Sequence, residues 1–233
     1  MEHKIIKDDR GAAIITVIVV SAFITIIATT MLYIAGRNYM SKQTDYQNKI
    51  SFYQAEEVLD KLKAYLVEDV NDAFEYAYAD TMANYVDHKG TPNVESYYAR
   101  SYTEKLKKIW TDRETAAIST DPEVSKLTQA VRDYLVSKLM EDGMEEEAAK
   151  AMAERIRSVD RCEIPPAKDK FIFVGVRVAY EPEDGYSTYI YTDIGLELPD
   201  FYMQGMPDAD ERGGQTLELA DCVKYMNWKR YDD

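Results

Sequence analysis

The stretch RGAAIITVIVVSAFITIIATTMLYIAGRN, residues 10–38, decides how the rest of the chain is read. No residue from Ala12 to Ala35 carries a formal charge. As a helix rising 1.5 Å per residue, these about 24 residues reach roughly 36 Å, enough for a hydrocarbon core of about 30 Å. The run is rich in Ile, Val, Leu and Phe, each favouring insertion by roughly 0.3–0.6 kcal/mol near the helix centre. Thr16, Ser21, Thr25, Thr29 and Thr30 reduce that sum. A buried helix of a soluble protein fits less well, because core helices rarely stay apolar on every face for this long. A cleaved secretory signal also fits poorly. Its apolar region is about 7–15 residues and ends in an A-x-A-like site, whereas this run is longer and leaves through TTMLYIAGRNYM. Two readings stay open on the residues alone: a plain membrane anchor, or a spine by which the protein joins an assembly.

Charge divides the chain at the same place. Lys4, Lys7 and Arg10 cancel Glu2, Asp8 and Asp9, so the first 36 residues are neutral and the whole net charge of −14 falls on residues 37–233. An acidic body of this kind repels nucleic acid, which needs Lys and Arg to displace phosphate counterions. The densest basic cluster, Lys105 to Lys108, is a short helix face. Arg37, Lys42 and Lys49 follow the apolar run, nearly balancing the three cations before it, so the positive-inside rule leaves orientation undecided.

Beyond the apolar run, Phe52, Ala55, Leu59, Leu62, Leu66, Val70, Ala73 and Ala77 recur at steps of three and four. That is one face of an amphipathic helix. Nothing decisive breaks a helix between Ala12 and Leu66, so the reading is one long helix, apolar over 12–35 and amphipathic over 37–66. The pattern fades near residues 76–93, and Gly90 and Pro92 mark a loop. A helix is expected over about Glu95–Ile118. Another should start with Asp121 as N-cap and Pro122 in its first turn, and stop at Asp142-Gly143. A fourth should carry Ala148, Met152, Ile156 and Val159 on one side. Residues 67–160 thus form a helical part of the head. From residue 161 the texture changes to an antiparallel β part ending at residue 233. CEIPPAKDK reads as a linker. FIFVGVRVAY, with Ile172, Val174, Val176, Val178 and Tyr180 on one face, and YSTYIYTDIGLELP, with Ile190, Ile194, Leu196 and Leu198 on one face, form a hairpin about EPEDG. A last strand is expected over about Leu217–Trp228. The fold class is α+β.

No recognisable catalytic or metal-binding pattern stands in the sequence. The sequence holds no phosphate-binding loop, dinucleotide fingerprint, H-E-x-x-H or nucleophile elbow. His88 has no evident nucleophile beside it. DADERGG, residues 208–214, lacks EF-hand spacing and reads as a solvated loop. With His3 and His88 as the only histidines, Cys162 and Cys222 cannot complete a structural zinc site. The expectation is no enzyme, no cofactor and no metal. If the body lies outside the cell, a Cys162–Cys222 disulfide would close a loop of about 60 residues and stabilise by roughly 4 kcal/mol; two unrelated buried thiols are the alternative. The nineteen tyrosines suit a binding surface or, more simply, core and strand positions.

A short polar leader with basic residues, a glycine and then an unbroken apolar segment opening a long helix resembles the N-terminus of type IV pilin-like proteins. AAIITVIVV with FYQAEEVLDKL downstream is similar to minor pilins of the PilX type, in the versions found in Gram-positive bacteria, and VKYMNWKRY resembles their closing strand. The resemblance covers residues 4–66 well, the end weakly, and about 70–160 not at all. It implies a leader over residues 1–11, cut by a prepilin peptidase between Gly11 and Ala12. It also implies a single pass through the cytoplasmic membrane with the leader inside and the acidic head outside, and other pilin-like subunits as partners in a cell-surface filament or pseudopilus. Phe52, Ala55, Leu59, Leu62 and Leu66 would pack the helix on the head. Most pilins carry Glu at the fifth mature position, where this chain has Thr16. The implied role is therefore a minor subunit. The competing expectation is an unassembled single-pass protein whose acidic external domain binds a ligand or partner.

Overall fold

The computed structural model describes residues 9–84, 93–119, 121–182, 186–199 and 219–232. The fold is α+β. Helix α1 runs Asp9–Ala83, α2 Asn93–Ala116, α3 Lys126–Glu141 and α4 Glu146–Ala153. The strands are β1 Ile156–Ser158, β2 Arg161–Glu163, β3 Lys170–Tyr180, β4 Thr188–Glu197 and β5 Val223–Asp232, the last entered through a 3₁₀ turn, Leu219–Cys222. The chain divides into two units, Met1–Gln47 and Asn48–Asp233.

The first unit is helical, and its side chains from Ile14 to Gln43 are all exposed. Its hydroxyls turn back onto the helix. Thr25 Oγ1 donates to the Ser21 carbonyl at 2.8 Å, Thr29 Oγ1 to the Thr25 carbonyl at 2.8 Å, and Thr30 Oγ1 to the Ile26 carbonyl at 2.7 Å. Polar atoms satisfied within the helix lower the cost of an apolar surrounding.

The second unit contains the core. The apolar stripe of α1 enters it directly: Ala55, Leu59, Leu62, Leu66, Val70, Ala73 and Ala77 are buried, and Phe52 packs at its margin. The expected stripe holds through Ala77, but the helix outlasts its expected boundary at Leu66 and continues to Ala83, with Val70, Ala73 and Ala77 keeping the same face inside. Trp110 of α2 stands edge-on to Phe173 of β3 at 4.7 Å and to Tyr134 of α3 at 5.4 Å. Tyr134 donates its hydroxyl to the Tyr65 carbonyl of α1 at 2.8 Å. Tyr98 and Tyr102 of α2 donate to the carbonyls of Pro199 and Glu197 at the end of β4.

Several local expectations need correction. Asp121 does not cap α3. Its Oδ1 accepts from the Glu123 N–H at 2.9 Å in a turn, and Ser125 caps instead, its Oγ accepting from the Thr128 N–H at 3.1 Å. The helix does end at Asp142, with Gly143 at φ +88°. The fourth helix stops at Ala153, turning Ala149, Met152 and Ala153 inward and leaving Ala148 exposed. Ile156 belongs to β1, paired with Val178. The helical part of the head therefore ends before residue 160: Ile156 pairs into β1, and the Val159 N–H donates to Thr128 Oγ1 of α3 at 2.9 Å rather than to a helical carbonyl. The linker CEIPPAKDK contains β2, which pairs with the same edge of β3 as β1, opposite β4.

The sheet is antiparallel, in the order β1-β3-β4-β5, with β2 beside β3. A bulge between Phe173 and Val176 exchanges the faces of β3. Phe171 and Phe173 are inward before it, Val176 and Val178 after it, and Ile172 and Val174 are only partly buried. The expected five-residue face holds for Val176, Val178 and Tyr180, the last packed at the margin of the core. Gly175 carries the bulge at φ +72°, and its N–H donates to Asp193 Oδ1 at 2.8 Å. Asp193 Oδ2 accepts from Asn227 Nδ2 at 2.7 Å, at a second irregularity between β4 and β5 where Asn227 has φ +55°. One buried carboxylate thus pins both interruptions. Ile190, Ile194 and Leu196 share the buried face of β4. The last strand begins at Val223, six residues later than expected, and runs to Asp232.

Candidate functional site

The feature that asks for a function is the apolar part of α1. It is long and apolar enough to cross a membrane, and none of its most apolar window is buried. Ile14, Ile15, Val17, Ile18, Phe23 and Ile24 are each at least 60% exposed. At about 25 cal/mol per Å² of apolar surface left in water, such a segment is strongly driven to find lipid or other apolar helices.

Gly11 and Ala12 lie in the first turns of α1, and Thr16 is exposed on it. The leader residues 1–8, His88 and the acidic loop 208–214 lie outside the described residues. Among the described residues no cluster of three or more His, Cys, Asp and Glu is placed to hold a metal ion.

The Cys162–Cys222 disulfide is not formed: both thiols are free. Cys162 sits in β2 opposite Phe173, Phe173 opposite Ile194, and Ile194 opposite Tyr225, so β3 and β4 separate the cysteine-bearing segments. Three strand spacings of about 4.8 Å amount to roughly 14 Å, against a Cα separation of at most about 6.8 Å in a disulfide. Burial, with Glu114 nearby, pushes the Cys162 thiol up to about 12. Burial likewise raises Cys222. Both therefore stay as inert thiols near neutral pH.

One cluster on the head escaped sequence reasoning. Register sets Arg177 opposite Tyr191, Tyr191 opposite Lys229, and Tyr189 opposite Tyr231. With Arg157 they line a shallow groove on the sheet. The Arg177 guanidinium stands 5.7 Å from the Tyr191 ring centre, and Arg157 pairs with Glu181 at 2.7 Å. Alternation alone could not reveal the cluster, since the bulges reset the faces of β3 and β5, the strands on either side of β4. No protein-family model matches the sequence, and no curated protein or solved structure matches it either.

Proposed function

We propose that the protein is a non-enzymatic, pilin-like minor subunit, held in the cytoplasmic membrane by the apolar part of α1 and then assembled through that segment into a filament or pseudopilus, with the acidic head outside. The observation that carries this reading is that every side chain from Ile14 to Ile34 is exposed, on a helix whose later residues build a folded core. A helix of this kind needs a bilayer or its own kind as solvent, and small residues such as Ala22, Ala28 and Gly36 permit close approach between helices. The junction of charged leader, Gly11 and apolar Ala12 supports a prepilin-type cut. Thr16 supports a minor role, because it cannot neutralise a neighbour's new N-terminal amine in an apolar filament core.

Mass spectrometry of the protein extracted from membranes tests the reading. The expected N-terminus is Ala12, and Gly11→Ala should leave the leader attached. An intact Met1 in the wild-type protein, or normal maturation of the Gly11 variant, would refute processing and favour an unassembled single-pass protein.

A further inference from the structure

We infer that Tyr33, Arg37, Tyr39 and Lys42 form an interfacial collar on α1 that binds the phosphate headgroups of anionic lipids and fixes the depth of the helix. The inference rests on the membrane reading of α1. The uncharged run ends at Ala35, and its last about 21 residues, Ile14 to Ile34, already make roughly 31 Å of helix, enough to fill a hydrocarbon core of about 30 Å. The headgroup layer adds about 5–8 Å on each side, or about four to five residues, so residues just past Ile34 lie at that depth. The chain changes character at this point. Tyr33 and Tyr39 are 64% and 70% exposed, and the Arg37 guanidinium lies 5.8 Å from the Tyr33 ring centre. Amphipathic tyrosine rings and cations are the side chains that settle at a membrane–water boundary.

Charge gives the second, independent argument. Arg37, Lys42 and Lys49 against Asp45 make residues 37–49 net +2. Residues 1–36 are neutral and the total is −14, so residues 50–233 carry −16. An acidic chain of that size is repelled by anionic headgroups, and the cationic stretch stands where the helix leaves the lipid. Arg37 and Lys42 lie within a Debye length of about 8 Å of the headgroup layer, whereas Lys49 lies about 10 Å further along α1. The interaction should therefore depend on Arg37 and Lys42 and hardly on Lys49.

Hydrogen–deuterium exchange on the full chain in lipid nanodiscs tests this, comparing phosphatidylcholine alone with discs containing about one third phosphatidylglycerol. The expected result is slow exchange over residues 14–34 in both discs, with residues 36–47 slowed roughly threefold or more only with phosphatidylglycerol. Arg37→Gln with Lys42→Gln should abolish the lipid dependence, and Lys49→Gln should preserve it. Identical exchange of residues 36–47 in the two discs, with 14–34 still slow, would overturn the collar and leave the anchor standing. Equal loss in the Lys49 variant would overturn the assignment of depth. Fast exchange over 14–34 would overturn the membrane reading itself, and the collar with it.

Discussion

Replacing Arg113 with Met should destabilise the head in a strongly pH-dependent way. Asp69 of α1 has a side chain only 3% exposed and is clasped by Arg113 of α2, with Nη2 donating to Oδ1 at 2.8 Å. The guanidinium also lies over the rings of Tyr134 at 4.0 Å and Trp110 at 4.6 Å. Burial outweighs the arginine and already holds the Asp69 carboxyl above its ordinary value. Removing the partner leaves a carboxylate buried without a counter-ion, which costs about 3–5 kcal/mol. For a folded unit of this size, at about 2–4 °C per kcal/mol, the melting temperature should fall by about 6–20 °C at neutral pH. The sign with pH follows from linkage. A folded-state pKa raised above the unfolded value means that the native state binds the proton more tightly. The variant's deficit should be smallest below the unfolded value near pH 4, grow as pH rises through the raised folded value, and then level off. Thermal melts by circular dichroism, on full-length protein in detergent between pH 4 and 8, measure this. Asp69→Asn with Arg113→Met should recover much of the loss. A drop below about 1 kcal/mol, constant across pH and unrelieved in the double variant, would refute the reasoning.

Gly175→Ala should destabilise the sheet by about 1–3 kcal/mol in chemical denaturation, because φ is +72° and a new Cβ would collide with the Asp160 carboxylate. Ser125→Ala should cost about 1 kcal/mol through loss of the α3 cap; an unchanged midpoint would place the helix start elsewhere. Thiol titration of unfolded, unreduced protein should count both cysteines as free. Finding none would mean that the strand order is wrong.

What the sequence made legible follows from how each signal works. The α1 stripe could be read because helical periodicity survives over many turns, and the buried residues Ala55 to Ala77 keep one face throughout. The hairpin of β3 and β4 could be read from its two β-rich runs flanking a turn. Its faces could not, because Gly175 looks like any strand glycine until its positive φ and the partner carboxylate of Asp193 are seen. Ile156 fitted a helical spacing with Met152, but tertiary pairing with Val178 took it into β1. Asp121 and Ser125 are both good caps, and only the neighbouring hydrogen bonds choose between them. The disulfide failed for a related reason: two cysteines in a sequence carry no information on how many strands lie between them.

Everything proposed for this protein requires the apolar part of α1 to reside in a bilayer. Alkaline carbonate extraction of membranes from cells expressing the full chain tests this directly. The protein should stay in the pellet and be released only by detergent. Release by carbonate alone, or a full-length protein that remains dispersed in water without detergent, would contradict it.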